Sequence, residues 1–508
     1  MMNRLRKRPW QLLLAMISTA LVLATVICLI RVVVIARRTD APKATAVLQQ
    51  AAQGLDQIVI DAELDAQNRC MKVSQTMTLT SRVAQSRDEV VFRTWPNAFQ
   101  KPDTSPVAGD ESICPDGFSA GSLVVSSVSL ERNGQVHSIS HRYLDEAKTV
   151  LSLPLDTPWQ PEETLQVTLQ YTVYFPHIQY RFGWWEDTFM AGHAFATPAL
   201  WQDGAYRTDA WLPIGDPLSG ECANYQLHLT VPKGYACAGT GSMTGLTQSD
   251  DGRMQYTLEA PAVREMGLVI SPILRKEARI VDGVLLQAYA PKVTDANRLL
   301  KVAEDALSCF SAAYGPYPYG TFTVCAAPMG VSGAEYPGMV MMADSLLSGD
   351  AKTLEYAVVH ETAHQWWYAL VGSDSSTYPW MDEALCEFSL LEYVGATYGK
   401  VAREELRQSR VESSMRVTVA GQATPGAPLD YFETNTDYMV LVYGRATSML
   451  CAMDDWTGGK LHDALRQYTQ NYAFAIATRE DFTRLVNETT GLDMEPLMID
   501  YLDTYLIN

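Results

Sequence analysis

His-Glu-Thr-Ala-His occupies residues 360–364, and Trp-Met-Asp-Glu-Ala occupies residues 380–384. Residues four positions apart lie on the same face of an α-helix, so a helix over the first segment would place its two histidines side by side. Eighteen residues separate His364 from Glu383, and the polar segment between them would let a second helix return beside the first. The two segments therefore predict adjacent helices that bring two imidazoles and one carboxylate together.

Two histidines and a glutamate in this arrangement are typical ligands of a zinc ion. A catalytic zinc site has three protein ligands and leaves a fourth position for water, which fits His360, His364 and Glu383. Glu361 lies beside the first histidine, where its carboxylate can orient and deprotonate that water. The sequence therefore predicts one zinc ion per chain and a hydrolytic reaction. Cys386 is interpreted as a packing residue, because the three ligands already complete the set.

These motifs resemble those of the zinc aminopeptidases of the aminopeptidase N and leukotriene hydrolase type. An HExxH motif followed after eighteen residues by glutamate is the signature of that family, and residues 360–367 and 380–383 match its pattern. The resemblance extends from about Leu55 to the C-terminus and includes Tyr-Gly-Pro-Tyr-Pro at 314–318. It implies a peptide hydrolase that removes residues from a free N-terminus. Many relatives continue into a large helical domain, so the resemblance implies a short form with a more open cleft.

The resemblance also assigns roles to residues 332–338, Ser-Gly-Ala-Glu-Tyr-Pro-Gly. The matching family segment has a glutamate that binds the α-amine of the substrate and a backbone that pairs with the substrate. Glu335 stands 25 residues before the HExxH motif, as in the family, so Glu335, Gly333 and Ala334 are expected to bind substrate. Ala334 replaces the usual Met, and Tyr336 replaces the usual Asn. These replacements are expected to alter the first side-chain pocket.

Two more residues are implied by the resemblance. Residues 443–446, Tyr-Gly-Arg-Ala, are similar to the family's Tyr-x-Lys-Gly segment, with Arg in place of Lys. The resemblance implies that the Tyr443 hydroxyl donates a hydrogen bond to the oxyanion of the tetrahedral intermediate, with Tyr438 as the alternative. Gln202 precedes Arg207 by five positions, the spacing at which the family often has a Gln or Glu beside the substrate amine. A loop glutamine without that role is the other interpretation.

The N-terminus has the features of a membrane anchor. Residues 10–30 are uncharged and almost wholly apolar, and four basic residues precede them. Roughly 20 apolar residues can cross a hydrocarbon core as a helix, and the heavier positive flank favours a cytoplasmic N-terminus. We therefore predict a cytoplasmic basic tail (1–9), a transmembrane signal anchor (10–36) and a linker (37–54), with the catalytic body extracellular. A cleaved signal peptide is the alternative.

The remainder of the chain changes character near its middle. From residue 55 to about 274, apolar and polar residues alternate in segments such as 164–173, which is typical of strands with one buried face. Residues 275–508 have helical patterns instead. Three of these helices are expected at 296–314, 353–371 and 382–398. We predict a multidomain fold, with an antiparallel β-sandwich or saddle domain at 55–274 and a thermolysin-like, mainly helical α+β catalytic domain at 275–508.

The charge of the chain excludes one class of partner. It has 58 acidic and 39 basic residues, and seven of the basic ones lie in the first 38 positions, which contain no acidic residue. So acidic a body repels a phosphate backbone, so nucleic acid is not expected as a partner. The nine cysteines form no CxxC pair, and the sequence indicates no disulfide pairing.

Three functions are compatible with these residues. The first is a membrane-anchored zinc aminopeptidase that acts on peptides with a free N-terminus. The second is an endopeptidase or epoxide hydrolase on the same scaffold, against which Glu335 argues because it would select an amine. The third is a membrane-anchored binding ectodomain without turnover, against which the complete set of chemical residues argues. The aminopeptidase is the function that the sequence favours.

Overall fold

The computed structural model describes residues 45–217 and 220–504 of the 508-residue chain. The predicted basic tail, the transmembrane anchor and the start of the linker lie outside these residues. Among those described, no helix is long and apolar enough to cross a membrane. The rest of the linker contains one short helix, α1 (Ala46–Ala51), which begins where the Thr45 side chain accepts a hydrogen bond from the Leu48 amide.

Residues 57–271 are mainly strands. They are β1 (Gln57–Asp65), β2 (Cys70–Thr80), β3 (Arg87–Arg93), β4 (Ser122–Arg132), β5 (Gln135–Ser138), β6 (Arg142–Tyr143), β7 (Val150–Trp159), β8 (Thr164–Tyr174), β9 (Phe182–Trp185), β10 (Thr188–Ala191), β11 (Thr197–Pro198), β12 (Trp201–Gln202), β13 (Ala205–Tyr206), β14 (Ala223–Val231), β15 (Ala236–Gly239), β16 (Ser242–Gln248), β17 (Met254–Val263) and β18 (Leu268–Ser271). Eight form one sheet in the order β16-β17-β14-β1-β2-β8-β4-β5. The others form the sheets β15-β18-β10-β9 and β11-β3-β7-β6 and the ribbon β12-β13. The predicted β-rich N-terminal domain is therefore confirmed.

Alternation of side chains explains the eight-stranded sheet. In β8 the apolar residues at positions 165, 167, 169, 171 and 173 are buried, and the polar residues between them are at least partly exposed. The strands β1, β2 and β14 show the same period of two residues. Asn133 and Gly134, with φ angles of 56° and 76°, connect β4 to β5 in the kind of turn that matches the twist of paired strands.

One neighbouring pair in this sheet is parallel, and the prediction of an antiparallel domain was wrong there. β1 runs parallel to β14, with Ile58 opposite Tyr225 and Ile60 opposite Leu227. A tight hairpin forces two strands to be antiparallel, but β14 follows β1 only after twelve other strands. The long return allows either direction, so the local sequence pattern does not determine it.

The C-terminal half contains a second sheet. Its strands are β19 (Arg275–Val281), β20 (Val284–Ala290), β21 (Thr321–Ala327), β22 (Gly333–Tyr336) and β23 (Met339–Ala343), and a small ribbon is formed by β24 (Gly372–Ser373) and β25 (Ile476–Ala477). The five strands are ordered β19-β20-β21-β23-β22. β22 pairs with β23 on one side only and forms the edge of the sheet as far as the described residues show. Its other side is therefore available to an added strand.

Helices accompany this sheet. They are α2 (Val293–Tyr314), α3 (Ala351–Ala363), α4 (Trp380–Tyr398), α5 (Lys400–Leu406), α6 (Asn435–Tyr438), α7 (Thr447–Thr457), α8 (Leu461–Asn471), α9 (Arg479–Thr490) and α10 (Glu495–Met498), with π-helical segments at Arg407–Val411, Met439–Ala446 and Ile499–Asp503. The helix predicted at 353–371 is shorter than expected, because α3 ends at Ala363. Beyond it the backbone turns, with a φ of 136° at Tyr368 and a hydrogen bond from the Ala369 amide to the His364 carbonyl.

Arg264 connects the N-terminal and C-terminal halves from inside the molecule. Arg264 lies between β17 and β18 along the chain, and the residue is only 1% exposed. The guanidinium donates to the carbonyls of Tyr368, Gly220 and Ala475 at 2.9, 3.2 and 2.8 Å. A Cβ atom at Gly372 would overlap the guanidinium, so glycine is required there. One buried side chain thus holds carbonyls from three separate segments of the chain.

We expect Arg264→Met to lower the thermal unfolding midpoint by several degrees. The change keeps an apolar stem but removes three charge-assisted hydrogen bonds, each of which contributes about 1.5–3 kcal/mol. Scanning calorimetry of the purified protein measures the shift. Arg275→Met is the control, since Arg275 bonds to neighbouring carbonyls from an exposed position and should change the midpoint little. Equal midpoints for the two variants would contradict the role given to Arg264.

Candidate active site

The predicted metal ligands lie together at the junction of α3 and α4. His360 is in the last turn of α3, His364 ends that helix, and Glu383 is in the first turn of α4. His360 Nε2 lies 3.2 Å from Glu383 Oε2 and 3.3 Å from His364 Nε2, and His364 Nε2 lies 3.6 Å from Glu383 Oε2. All three side chains are buried. The helix spacing that predicted this convergence is thus observed.

The spacing of the three atoms fits zinc. Ligand atoms about 2.0–2.2 Å from a tetrahedral zinc ion are separated from each other by roughly 3.3–3.6 Å. The two imidazole nitrogens and the carboxylate oxygen already stand at such separations, so His360, His364 and Glu383 would hold the ion without rearranging. Cys386 is also close to His364, but burial raises the pKa of its thiol well above the usual value. The two histidines and Glu383 already supply the three protein ligands of a catalytic zinc site, so the set is complete without Cys386.

Each histidine is oriented by a second carboxylate. Glu387 Oε1 lies 2.9 Å from His360 Nδ1, and Asp382 Oδ1 lies 2.6 Å from His364 Nδ1. Carboxylates at Nδ1 fix the ring so that Nε2 faces the metal, and they increase its strength as a ligand. Glu387 also accepts hydrogen bonds from Nε and Nη2 of Arg410, at 2.6 and 2.8 Å. The site therefore has an outer layer of charged groups that holds both imidazoles.

These outer carboxylates were not predicted from the sequence, although their spacing carried a signal. Asp382 precedes Glu383 by one residue, and Glu387 follows it by four, one helical turn later on the same face. A helix that presents Glu383 to a metal therefore also presents Glu387 towards the first histidine. Arg410 had no comparable local signal, because it reaches Glu387 from a separate segment of the chain.

The charges of the site are strongly coupled. Burial lowers the pKa of His360, but its contacts with Glu383 and Glu387 outweigh burial and raise that pKa to about 10. Burial acts in the opposite direction on Glu387, where the contacts with His360 and Arg410 prevail and lower the pKa to about 2. In the absence of a metal these groups therefore hold a proton on the imidazole. A metal ion must displace it, so metal affinity should rise with pH.

Glu361 faces the cleft with a free carboxylate oxygen. The residue is buried, and its Oε2 has no hydrogen-bond partner among the described residues. Burial raises the pKa of the carboxyl group. Any Cβ atom at Gly333 would overlap the Glu361 carboxylate, so this edge strand must have glycine where it passes the carboxylate. Glu361 and Gly333, which were predicted separately as site residues, are therefore in contact, and this contact explains the glycine.

The edge strand β22 places Glu335 beside the same centre. Glu335, Glu361 and His364 each have a nitrogen or oxygen atom within 4.8 Å of the others. Burial and the charge of Asp216 raise the pKa of Glu335 well above its usual value, while Arg181 opposes them. Arg181 Nη2 lies 2.5 Å from Asp216 Oδ1. Glu335 thus stands next to an ion pair and close to the general-base candidate.

The two replacements in this strand do not line the cleft as expected. Successive residues of a strand point to opposite faces. Gly333 and Glu335 face Glu361, whereas Ala334 and Tyr336 are buried in a core cluster with methionines of β23. The Tyr336 side chain occupies the space left by Gly192 and Gly267, at which any Cβ atom would overlap it. An Ala334 contact with substrate is therefore confined to its backbone.

Tyr443 and Tyr438 both reach the cleft. Tyr443 lies in the π-helical segment Met439–Ala446, and its ring stacks on His360 with centroids 5.7 Å apart. The ring of Tyr438 meets that of Tyr443 edge-on at 5.6 Å. Burial raises the pKa of both phenols well above the usual value, so both remain neutral donors. The structure therefore brings together both alternatives that the sequence left open, with Tyr443 in direct contact with a metal ligand.

Gln202 is not brought to this centre. Its side-chain oxygen accepts a hydrogen bond of 3.1 Å from Arg207, which also pairs with Asp209 and Asp374. The residue does not line the cleft that contains His360 and Glu361. Gln202 thus lies in the short strand β12 with Arg207 as its partner, and a role beside the substrate amine stays a prediction.

The site opens into a cleft of about 920 Å³. One wall comes from the N-terminal half, chiefly segment 102–113, and the other comes from α3 and the segments around Arg410 and Tyr443. Ile113 accepts a hydrogen bond from the amide of Gln179, and Gln179 accepts one from the amide of Gly330, which leads into β22. The β-rich domain therefore supplies one side of the space in which a substrate would lie.

We expect Glu387→Gln to weaken zinc binding by about 10- to 100-fold, the usual effect of changing a carboxylate that orients a metal-binding histidine. The change preserves size but removes the charge beside His360. Competition with a coloured chelator measures the dissociation constant. Glu355→Gln is the matched control, because Glu355 lies on the helix of His360 but bonds to Tyr393 and Tyr398. If both variants bound zinc as tightly as the parent, the orienting role would be wrong.

Residues 296–501 match the Peptidase family M1 domain. Aminopeptidase RNPEPL1 of Homo sapiens is 22% identical over 353 residues, which cover 65% of this chain and 46% of that protein. Aminopeptidase M1-B of Oryza sativa subsp. japonica is 23% identical over 293 residues, which cover 54% of this chain and 34% of that protein. The chain thus spans between about a third and a half of the length of these curated relatives.

A solved structure supports the fold. The crystal structure of a mutant M1 zinc metallopeptidase from Deinococcus radiodurans has a TM-score of 0.62 at 16% identity, covering 89% of this chain and 94% of that one. The HExxH motif and Glu383 both lie inside the matched region 296–501. Residues 296–501 therefore match a peptidase family M1 domain, and the predicted resemblance to the zinc aminopeptidases of that family is confirmed by this match and by the curated relatives. The likeness to the solved structure concerns the fold.

Proposed function

We propose that this protein is a zinc aminopeptidase that hydrolyses the first bond of peptides with a free N-terminus. The observation that carries the proposal is the position of Glu335. Its carboxylate lies within 4.8 Å of ligand atoms on Glu361 and His364, on β22, the edge strand of its sheet among the described residues. A fixed carboxylate at that distance would bind an ammonium group and leave the adjacent peptide bond at the metal. The catalytic unit would be the predicted thermolysin-like domain at 275–508.

One zinc ion per chain, held by His360, His364 and Glu383, would supply a Lewis acid that polarises the scissile carbonyl. Glu361 would accept a proton from the attacking water through its unpartnered Oε2 and later deliver it to the leaving amine. The raised pKa of the Glu361 carboxyl group suits both proton transfers. The group can hold the proton that it takes from water and then release it to the leaving amine.

Two further groups would position the reacting peptide. The free side of β22 would pair with the peptide backbone as an added strand, which aligns the chain and places its first residue beside Glu335. Tyr443, a neutral phenol stacked on His360, would donate its hydroxyl proton in a hydrogen bond to the oxyanion. Tyr438 stands next to it and could supply the same donor.

A panel of aminoacyl reporters and N-acetylated counterparts tests the proposal. We expect turnover of free-amine substrates only, loss of turnover with a chelator, and recovery when zinc is restored. Glu361→Gln should reduce kcat by about 10²–10⁴, the usual contribution of a general acid–base group. Glu335→Ala should reduce kcat/KM for free-amine substrates because the ammonium loses its partner.

Glu355→Gln provides the control for these variants. Glu355 lies on α3 but bonds to Tyr393 and Tyr398 and does not line the cleft, so its loss should leave turnover unchanged. Equal cleavage of free and N-acetylated peptides would refute the aminopeptidase in favour of an endopeptidase. Stoichiometric zinc without turnover in folded protein would instead favour a binding ectodomain.

We further propose that residues 10–36 anchor the chain in the cell membrane with the catalytic body outside. The support is the apolar run and the basic residues before it. Full-length protein should stay with the membrane after carbonate extraction, and a protease added to intact cells should remove the body. A form beginning at residue 45 should be released into solution. Recovery of the intact full chain away from membranes would refute the anchor, and a new N-terminus just after residue 36 would show a cleaved signal peptide.

A further inference from the structure

Two arginines line the cleft at different places. Arg181 is paired with Asp216 beside Glu335, where the peptide amine is proposed to lie. Arg410 lies instead with Glu387, on the Nδ1 side of His360. The cleft thus has a second cation away from Glu335, paired with the carboxylate that orients His360.

Arg410 presents one edge of its guanidinium to the cleft. Its Nε and Nη2 donate to the two carboxylate oxygens of Glu387, at 2.6 and 2.8 Å. Nη1 donates to none of the described residues. Glu387 is almost fully buried behind the guanidinium, whereas the Arg410 side chain is 42% exposed. Both residues line the cleft, but the guanidinium is far more exposed to a ligand than the carboxylate that it pairs with.

The segment that carries Arg410 is held against the segment that carries Tyr443. Arg410 lies in the π-helical turn Arg407–Val411, a form that is often found at functional sites. Just beyond this turn, Arg445 donates to the carbonyls of Ser414 and Val417, at 3.3 and 2.6 Å. A Cβ atom at Gly444 would overlap Ser414, so the two segments approach as closely as a glycine allows. The guanidinium is therefore fixed relative to the reacting centre.

Resting on the proposed function, we infer that Arg410 binds the C-terminal carboxylate of a short peptide, so that the enzyme favours di- and tripeptides. A guanidinium edge matches a carboxylate better than any other peptide group. Glu387 alone separates Arg410 from His360, through contacts of 2.6 and 2.9 Å. Only a few residues of extended peptide would therefore span the distance from His360 to Arg410, since each residue adds about 3.3–3.6 Å.

The ends of the cleft then match the ends of a zwitterionic peptide. Glu335 would bind the ammonium group and Arg410 the carboxylate, with the scissile bond between them at His360 and Glu361. An acidic side chain two residues beyond the scissile bond could offer the same carboxylate. The length of the substrate and the position of its charge distinguish these two sources.

The test compares trialanine with its C-terminal amide, and hexaalanine with a hexapeptide that has glutamate at the third position. For the parent enzyme we expect kcat/KM for trialanine to exceed that for its amide by at least about tenfold, mainly through KM, as one charge-assisted hydrogen bond would give. Arg410→Gln should bring this ratio close to one. Alanine p-nitroanilide, which has no carboxylate, reports the basal reaction separately.

Arg407→Gln is the matched control, because Arg407 lies on the same π-helical turn but pairs with Glu412 and Asp455 outside the cleft. It should keep the ratio of the parent. A ratio near one in the parent would overturn the inference. Equal losses for trialanine and its amide in Arg410→Gln would also overturn it, since they would show that Arg410 acts only through Glu387 and His360.

Two outcomes separate this inference from the function on which it rests. If the parent did not cleave alanine p-nitroanilide, the proposed function would fail, and binding of trialanine and its amide to Glu361→Gln would still decide whether Arg410 holds a carboxylate. If the glutamate-containing hexapeptide were cleaved as well as trialanine, the carboxylate would come from a side chain and the preference for short peptides would be refuted.

Discussion

The structure depends on the approach of α3 to α4, which places His360, His364 and Glu383 within 3.6 Å of one another inside the protein. Burying such groups without partners is costly, and a buried charge persists only when it is paired. Each histidine is accordingly joined to a second carboxylate, and one of these is joined to Arg410. The geometry required by a metal ion is thus maintained by a layer of ion pairs around it.

The β-rich domain takes part in the site and does not merely precede it. Segment 102–113 forms one wall of the cleft, and the Arg181–Asp216 pair lies beside Glu335. Arg264 fastens the same domain to the turn after α3 and to the residue before β25. A displacement of this domain would therefore move both a wall of the cleft and the charges around the proposed amine site.

The sequence predicted those parts of the site that arise from local spacing. Two histidines four positions apart, followed after eighteen residues by a glutamate, indicate two helices, and the geometry of a helix turn brings their side chains together. The direction of β1 relative to β14, the early end of α3 and the partner of Gln202 could not be predicted in this way. Each depends on residues far apart in the chain, as does Arg410, whose contact with Glu387 has no counterpart in the local pattern.

The departures from the family pattern in β22 illustrate the same distinction. Seen as sequence, Ala334 and Tyr336 flank Glu335 and were expected to reshape the substrate pocket. Seen as a strand, they point away from it, and Tyr336 fills a space that exists because Gly192 and Gly267 have no side chain. The large side chain of Tyr336 in β22 is thus accommodated by two glycines of the β-rich domain. This departure from the family pattern therefore changes the packing between the domains. Selection among substrates must then come from residues that face the cleft, and Arg410 is the one that we assign to the carboxylate of the substrate.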